Sequence, residues 1–379
     1  MLIVGMLDSV HLSRWLSQFK SENIDFTIMS SKKFKHLHPI LLSLLQTNEG
    51  TASFRLSYDF PIKGLIGYLD FVRFVLPTKF SSLNIRVKSL SKILDKNDYD
   101  FIHALEIQGA GYLISELADQ TLTNTKVIVT NWGSDIYYFK NESKHVSKIR
   151  KTLARANFYS AECERDYKLA REFGFVGIEL PCIPNAGGFI LSDYPNSVDP
   201  AERSFIVVKA YGGRFGLGKL AVEVVNDLLQ AIPELQVYFY SVTEDLMEDI
   251  EITRAKFPNR VDHSTTKNPV PRDELMTIFS HSRVFLGCSR SDGISTSFLE
   301  ALLTGAYPVQ TQSSCANEWI QKGAVGSVVP PDKEAILNEI TKAMESPELV
   351  RQARGANLAV AQEFLSQEVV KPIAISFYS

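Results

Sequence analysis

The stretch from Ser289 to Pro308, SRSDGISTSFLEALLTGAYP, gathers the residues best suited to chemistry. An apolar run precedes it, Asp292 and Gly293 make a turn signal, and Ser295, Thr296 and Ser297 stand where a helical pattern begins. The first turn of a helix presents unpaired N–H groups and a partial positive charge, which suits a phosphate. Three hydroxyls at that mouth add donors. Glu300 follows one turn inside, where a carboxylate can accept two hydrogen bonds from a sugar diol. The spacing Ser297-x-x-Glu300 also matches a capping box, which would do no more than finish the helix. Both readings stand on the sequence.

Other polar residues sit at the ends of apolar runs. Lys209, Arg214 and Lys219 lie in the glycine-rich turn VVKAYGGRFGLGK, and Trp132 precedes the turn Gly133-Ser134-Asp135. His103 ends the run FIHALE; a lone histidine there serves either packing or an acceptor. Ser9 and His11 fill the turn after the first apolar run, where a helix cap by Asp8 or Ser9 is the simpler reading.

These residues need elements to hold them. Strand patterns run over Leu2–Leu7, Phe26–Met29, Tyr99–Ala104, Lys126–Thr130 and Asn157–Ala161, interleaved with helical patterns at Leu12–Phe19, Val72–Val75, Leu83–Leu94, Tyr112–Leu117 and Cys163–Phe173. Residues 30–80 break the rhythm. Two loop-like stretches follow, Pro181–Gly188 and Ser192–Pro200, rich in Pro, Gly, Asn and Asp. The alternation then restarts with strands at Phe205–Val208, Gln236–Tyr240, Val284–Gly287 and Pro308–Gln310. Helices fall at Lys219–Leu229, Glu244–Ala255, Arg272–Phe279 and Thr296–Leu303, and again from Asp332 onward. Strand–helix alternation predicts parallel sheets covered on both faces, so the fold class is α/β with two Rossmann-like domains facing across a cleft. The expected boundaries are 1–188 and 189–365, with a C-terminal helix over 366–379 packing back on the first domain.

Length and composition agree with two soluble domains: 379 residues, 45% hydrophobic and 22% charged. A net charge of -3 argues against a general nucleic-acid binder. It conceals an asymmetry, with 23 basic and 19 acidic residues in 1–190 against 17 and 24 in 191–379. Four cysteines without a CxxC pair exclude a zinc ribbon or disulfide framework and fit a reducing compartment. The N-terminus reads as a strand and not as a signal peptide, and no run reaches the ~18–20 apolar residues of a membrane span. The expected location is cytoplasmic. Lys32, Lys33 and Lys35 beside the apolar run Pro39–Leu45 suit a peripheral contact with anionic lipid at the inner membrane face, or a solvated loop beside a core helix.

Asp292 and Glu300, separated by seven residues within DGISTSFLEALLTGAYPV, resemble the acidic–x7–Glu segment of the family-4 retaining glycosyltransferases, which have the two-domain GT-B fold. VIVTNWGSDI at 127–136 is similar to that family's N-terminal Gly-x-Asp turn, IPNAGG at 183–188 to its interdomain turn, and 207–219 to its basic phosphate loop. The resemblance implies a role for each residue. Glu300 would hold the donor ribose and Asp292 would sit by the donor sugar. Gly293, Ile294 and Ser295 would contact sugar hydroxyls, and Thr296 the diphosphate. Asp292 departs from the family's usual Glu by one methylene. Lys209 and Arg214 would stabilise the departing diphosphate as fixed cations in a water-poor cleft, with Lys219 either assisting them or simply solvated. No metal and no cofactor are expected, since these cations would replace a metal. Trp132 stands where many members have a histidine; it can stack on a sugar but cannot shuttle a proton. His103, Trp132 and Asp135 would lie on the acceptor or sugar side.

The expected function is retaining transfer of a sugar from a nucleotide diphosphosugar to a hydroxyl of a saccharide or lipid-linked acceptor, in surface polysaccharide or glycolipid assembly. The rivals are a nucleotide-sugar epimerase on the same fold and a catalytically degenerate binding protein.

Overall fold

The apolar runs become two parallel sheets in the computed structural model, which describes residues 1–46, 50–57, 82–196 and 198–379. Strands β1 (Leu2–Gly5), β2 (Asp25–Ser30), β3 (Ser53–Leu56), β4 (Phe101–Leu105), β5 (Lys126–Asn131), β6 (Phe158–Ala161) and β7 (Ile178–Glu179) form the first sheet, in the order β3-β2-β1-β4-β5-β6-β7. Strands β8 (Phe205–Lys209), β9 (Gln236–Val242), β10 (Val261–Thr265), β11 (Ser282–Gly287), β12 (Tyr307–Thr311) and β13 (Ser327–Val329) form the second, in the order β10-β9-β8-β11-β12-β13. Strands β1, β4 and β11 are buried at every position, as strands covered on both faces must be.

Both orders run outward from the first strand of their set and then reverse, the doubly wound pattern of Rossmann-like domains. The reversal falls between β1 and β4 in one sheet and between β8 and β11 in the other, where Lys209 pairs with Gly287. Ligands of such sheets bind beyond the carboxyl ends of the strands at these switch points.

The chain divides into two compact units, Met1–Gly187 with Lys371–Ser379, and Gly188–Val370. Each has its own core. Leu2, Val4, Ile102, Ala104, Val127 and Val129 build the first. In the second, Ala221, Val225 and Leu228 recur at helical spacing on the Gly218–Ala231 helix and pack with Ile206, Val208, Phe239, Leu286 and Val309. Among the described residues no helix is long and apolar enough to cross a membrane.

Several elements differ from the sequence expectation. The structure adds β3, β7, β10, β13 and the helices Ser143–Arg155 and Ala316–Gln321, and it forms the helix at Pro39–Gln46 where the apolar run Pro39–Leu45 allowed one. The first four are edge or near-edge strands of two to five residues, and β10 (VDHST) is largely polar, so none carries a strong apolar signal. The Tyr112–Leu117 helical pattern becomes a π-helix, Ile107–Gly111, followed by one helical turn, Tyr112–Ser115. The helix expected at Val72–Val75 lies outside the described residues.

Candidate active site

The switch point of the second sheet assembles the site. Lys209 ends β8, and its ammonium lies 4.9 Å from the centroid of the Tyr211 ring. The chain then turns tightly. Gly213 has φ +66, and a Cβ on Gly216 would fall 1.9 Å from the Tyr211 carbonyl oxygen, so the turn requires glycine there. The Gly212 N–H donates to Thr243 Oγ1 at 2.9 Å and the Gly213 N–H to Asp245 Oδ2 at 3.1 Å. Arg214 is exposed on this turn, and Lys219 is exposed in the first turn of the Gly218–Ala231 helix.

The same turn is tied to the segment after β11. The Arg290 N–H donates to the Phe215 carbonyl at 2.7 Å, the Leu217 N–H to the Cys288 carbonyl at 3.2 Å, and Gly216 bridges to Ser289. These bonds bring the basic turn beside the Ser289–Asp292 segment, a juxtaposition of residues more than seventy apart. Burial pushes the Tyr211 hydroxyl above its ordinary pKa, and the Asp292 carboxylate adds to the shift. Asp292 itself is half-buried, whereas Gly293, Ile294 and Ser295 are buried at the helix mouth and Thr296 is half-buried.

The helix begins at Thr296 with Ser295 as its N-cap, and no side chain caps it. Ser297 therefore lies inside the helix, two positions past the N-cap that a capping box requires. Glu300, 8% exposed, takes a different partner: its Oε1 accepts a hydrogen bond from Arg272 Nη2 at 3.1 Å. The capping-box reading is thus not realised: the N-cap stands two residues before Ser297, and Glu300 pairs with Arg272. Arg272 Nη2 also donates to the Tyr194 hydroxyl, and its guanidinium lies 5.1 Å from the Tyr194 ring centroid. Burial works against the charge of Arg272, yet Glu300 and Tyr194 together hold its pKa above the ordinary value. The buried Tyr240 hydroxyl, near Ser297, Glu300, Tyr211 and Asp292, makes no hydrogen bond of normal geometry.

Sequence reasoning missed Arg272, Tyr194 and Tyr240. One signal was available for Arg272. It occupies the first turn of the Arg272–His281 helix, where a cation opposes the helix dipole and needs a compensating partner. Tyr194 sits in a Pro- and Asp-rich connection with no pattern to distinguish it.

In the first unit His103, Asp135 and Ser9 are engaged in holding the fold. His103 is fully buried: its Nδ1 pairs with the Tyr378 hydroxyl at 2.8 Å and its Nε2 with Thr130 Oγ1 at 2.6 Å. The chain of hydroxyls continues to Ser160 Oγ, and Trp15 Nε1 donates to Tyr378 at 3.0 Å. Burial lowers the His103 pKa to about 3. An acceptor-side role for His103 is therefore corrected to a packing role: both ring nitrogens are occupied and no surface is open. Asp135 is also buried, and its Oδ2 accepts the N–H groups of Ile107 at 2.8 Å and Trp132 at 2.9 Å, holding two loops together. Burial, with Glu106 nearby, raises its pKa well above the ordinary carboxylate range. Glu106 itself has φ +103 and accepts the N–H groups of Gly109 at 2.6 Å and Ala110 at 2.9 Å. Trp132 is half-buried, with its ring 5.2 Å from that of His11. Ser9 caps the Val10–Ser17 helix, accepting from the His11 N–H at 3.1 Å.

Known proteins place this architecture. Residues 61–163 match the family described as Glycosyl transferase 4-like, and residues 220–357 match Glycosyl transferases group 1. No curated protein matches the sequence. Among solved structures, Anabaena HepE in complex with UDP-glucose is 12% identical with a TM-score of 0.70, covering 100% of this chain and 99% of its own. Sucrose-phosphate synthase from Thermosynechococcus elongatus is 16% identical with a TM-score of 0.66, covering 100% and 97%. A glycosyltransferase from Rickettsia africae is 12% identical with a TM-score of 0.64, again covering 100% and 97%. Two family matches spread over both units, on two sheets that share the doubly wound order, show that this chain belongs to the glycosyltransferases of the GT-B fold.

Proposed function

We propose that the protein is a retaining glycosyltransferase that moves a sugar from a nucleotide diphosphosugar to a hydroxyl of a saccharide or lipid-linked acceptor. The observation that carries this reading is the uncapped helix mouth at Ser295–Ser297, with Glu300 held by Arg272 and the basic turn fastened beside it. The Anabaena protein solved with UDP-glucose supports a nucleotide-sugar donor by its shared fold.

In this reading the diphosphate lies against the helix mouth, and Glu300 accepts the ribose diol. Asp292, Gly293, Ile294 and Ser295 contact the donor sugar. As the glycosidic bond breaks, negative charge grows on the departing diphosphate. Lys209 and Arg214, with Lys219 in support, stabilise that charge without reorganising, so that the chemistry proceeds without a metal ion. The acceptor hydroxyl attacks from the face the leaving group vacates and gives its proton to a donor phosphate oxygen. Trp132 offers a ring for stacking against a sugar. The setting we propose is the cytoplasmic side of a membrane in polysaccharide or glycolipid assembly, with the exposed Lys32, Lys33 and Lys35 near anionic lipid.

Thermal-shift and calorimetric titration with UDP, GDP, ADP and CMP, with and without magnesium, test the donor site. A ligand that binds only the native state raises its midpoint by mass action. One diphosphate should stabilise the protein independently of metal, and Glu300→Ala should weaken its binding by about 10- to 100-fold while the fold persists. Stabilisation by none of them would favour a degenerate binding protein. Turnover of a nucleotide sugar to its epimer without an acceptor would favour an epimerase.

A further inference from the structure

We infer that Arg272 and Tyr194 are positioning residues that act through Glu300 to make the site prefer a ribose diol over its deoxy counterpart. The inference rests on the donor-site reading above and extends it to two residues outside the acidic–x7–Glu segment.

The argument begins with the demands on a buried carboxylate. Recognition of a diol needs an ionised group held in one orientation, because a rotated carboxyl presents its lone pairs in the wrong direction. Glu300 is 8% exposed, and burying its charge without a partner would be costly. Arg272 meets both demands through a charge-assisted hydrogen bond of 3.1 Å to one named oxygen. Arginine carries a flexible side chain and fixes nothing unless it is itself fixed. Tyr194 does this twice over, with its hydroxyl accepting from the same Nη2 and its ring beneath the guanidinium at 5.1 Å. Tyr194 is buried, and its ring lies 5.7 Å from that of Phe189, so the whole relay is anchored in the core of the second unit.

The Arg272–His281 helix does not itself call for an arginine at its start. Arg272 sits at a helix N-terminus, where its charge opposes the dipole, and its side chain is 37% exposed. A residue chosen for helix stability alone would be acidic at this position. The charge is there for its partner, Glu300.

The test measures Kd by calorimetry for UDP, GDP and ADP and for their 2′-deoxy counterparts, on the full chain and on Arg272→Gln and Tyr194→Phe. The unsubstituted protein should prefer the ribonucleotide by about 10-fold or more. Arg272→Gln should bring that preference to within about 3-fold of unity by weakening the ribonucleotide more than the deoxynucleotide, which keeps one hydroxyl for Glu300, and Tyr194→Phe should lie between. Should Arg272→Gln fail to fold, Tyr194→Phe carries the test, since it removes one hydroxyl and keeps the ring. A preference unchanged in both variants, or ribo- and deoxynucleotide affinities falling in parallel, would overturn the inference and leave the donor site standing. If the unsubstituted protein binds no nucleoside diphosphate, the donor-site reading fails and the inference with it.

Discussion

Substitution of His103 by Gln should flatten the acid dependence of stability, because the buried imidazole is held neutral in the folded chain. Burial lowers its pKa to about 3, whereas an unfolded histidine titrates near ~6.5. Between these values the unfolded chain binds the proton and the folded chain does not. The stability from this group is therefore complete above pH ~6.5 and is lost as pH falls toward 3, at ~1.4 kcal/mol per pH unit. At pH 5 the loss is ~2 kcal/mol. Urea titrations followed by tryptophan fluorescence read the effect locally, since Trp15 lies 5.9 Å from the His103 ring and shares the Tyr378 hydroxyl with it. Buried Asp135 and Glu106 have raised pKa values and pull the other way, gaining protons in the folded state as pH falls. The difference between the two proteins removes that common contribution. His103→Gln will be less stable at pH 7, having lost a fitted partner for Tyr378 and Thr130, but the gap should narrow by ~2 kcal/mol on going to pH 5. Parallel curves for the two proteins between pH 6.5 and 5 would refute the reasoning and place His103 in contact with water.

Two further outcomes follow from the site. Lys209→Ala should lower kcat by about 100-fold with a smaller change in donor Kd, measured by steady-state transfer and calorimetry, since in the proposed reaction its cation acts mainly on charge that develops in the transition state. Gly216→Ala should destabilise the second unit by about 2–3 kcal/mol in urea titration, since the new Cβ would fall 1.9 Å from the Tyr211 carbonyl oxygen and force the basic turn away from Ser289.

Much of this molecule can be read along the chain. Uninterrupted apolar runs such as IVV at 206–208 and VFLG at 284–287 announce strands buried on both faces, because a local pattern of burial is written in residue types at the period of the element. The Ser/Thr-rich start of the Thr296–Thr304 helix and the glycines around Arg214 are equally local, since helix ends and tight turns have chemical requirements within a few residues. The polar edge strand Val261–Thr265 escaped such reading because an edge strand is held by backbone pairing that leaves little trace in its side chains.

What tertiary structure alone decided is which polar group meets which. The sequence offered Glu300 a cap or a ligand, whereas the partner it takes is Arg272, 28 residues away, held in turn by Tyr194, 78 residues from Arg272. His103 stood open between packing and an acceptor contact until Tyr378, 275 residues on, and Thr130 closed around its ring. Residue type and spacing determine which element forms and which chemistry a side chain can perform. Burial, charge state and hydrogen-bond partner depend on atoms brought together from distant parts of the chain, and those contacts come into being only when the sheets assemble.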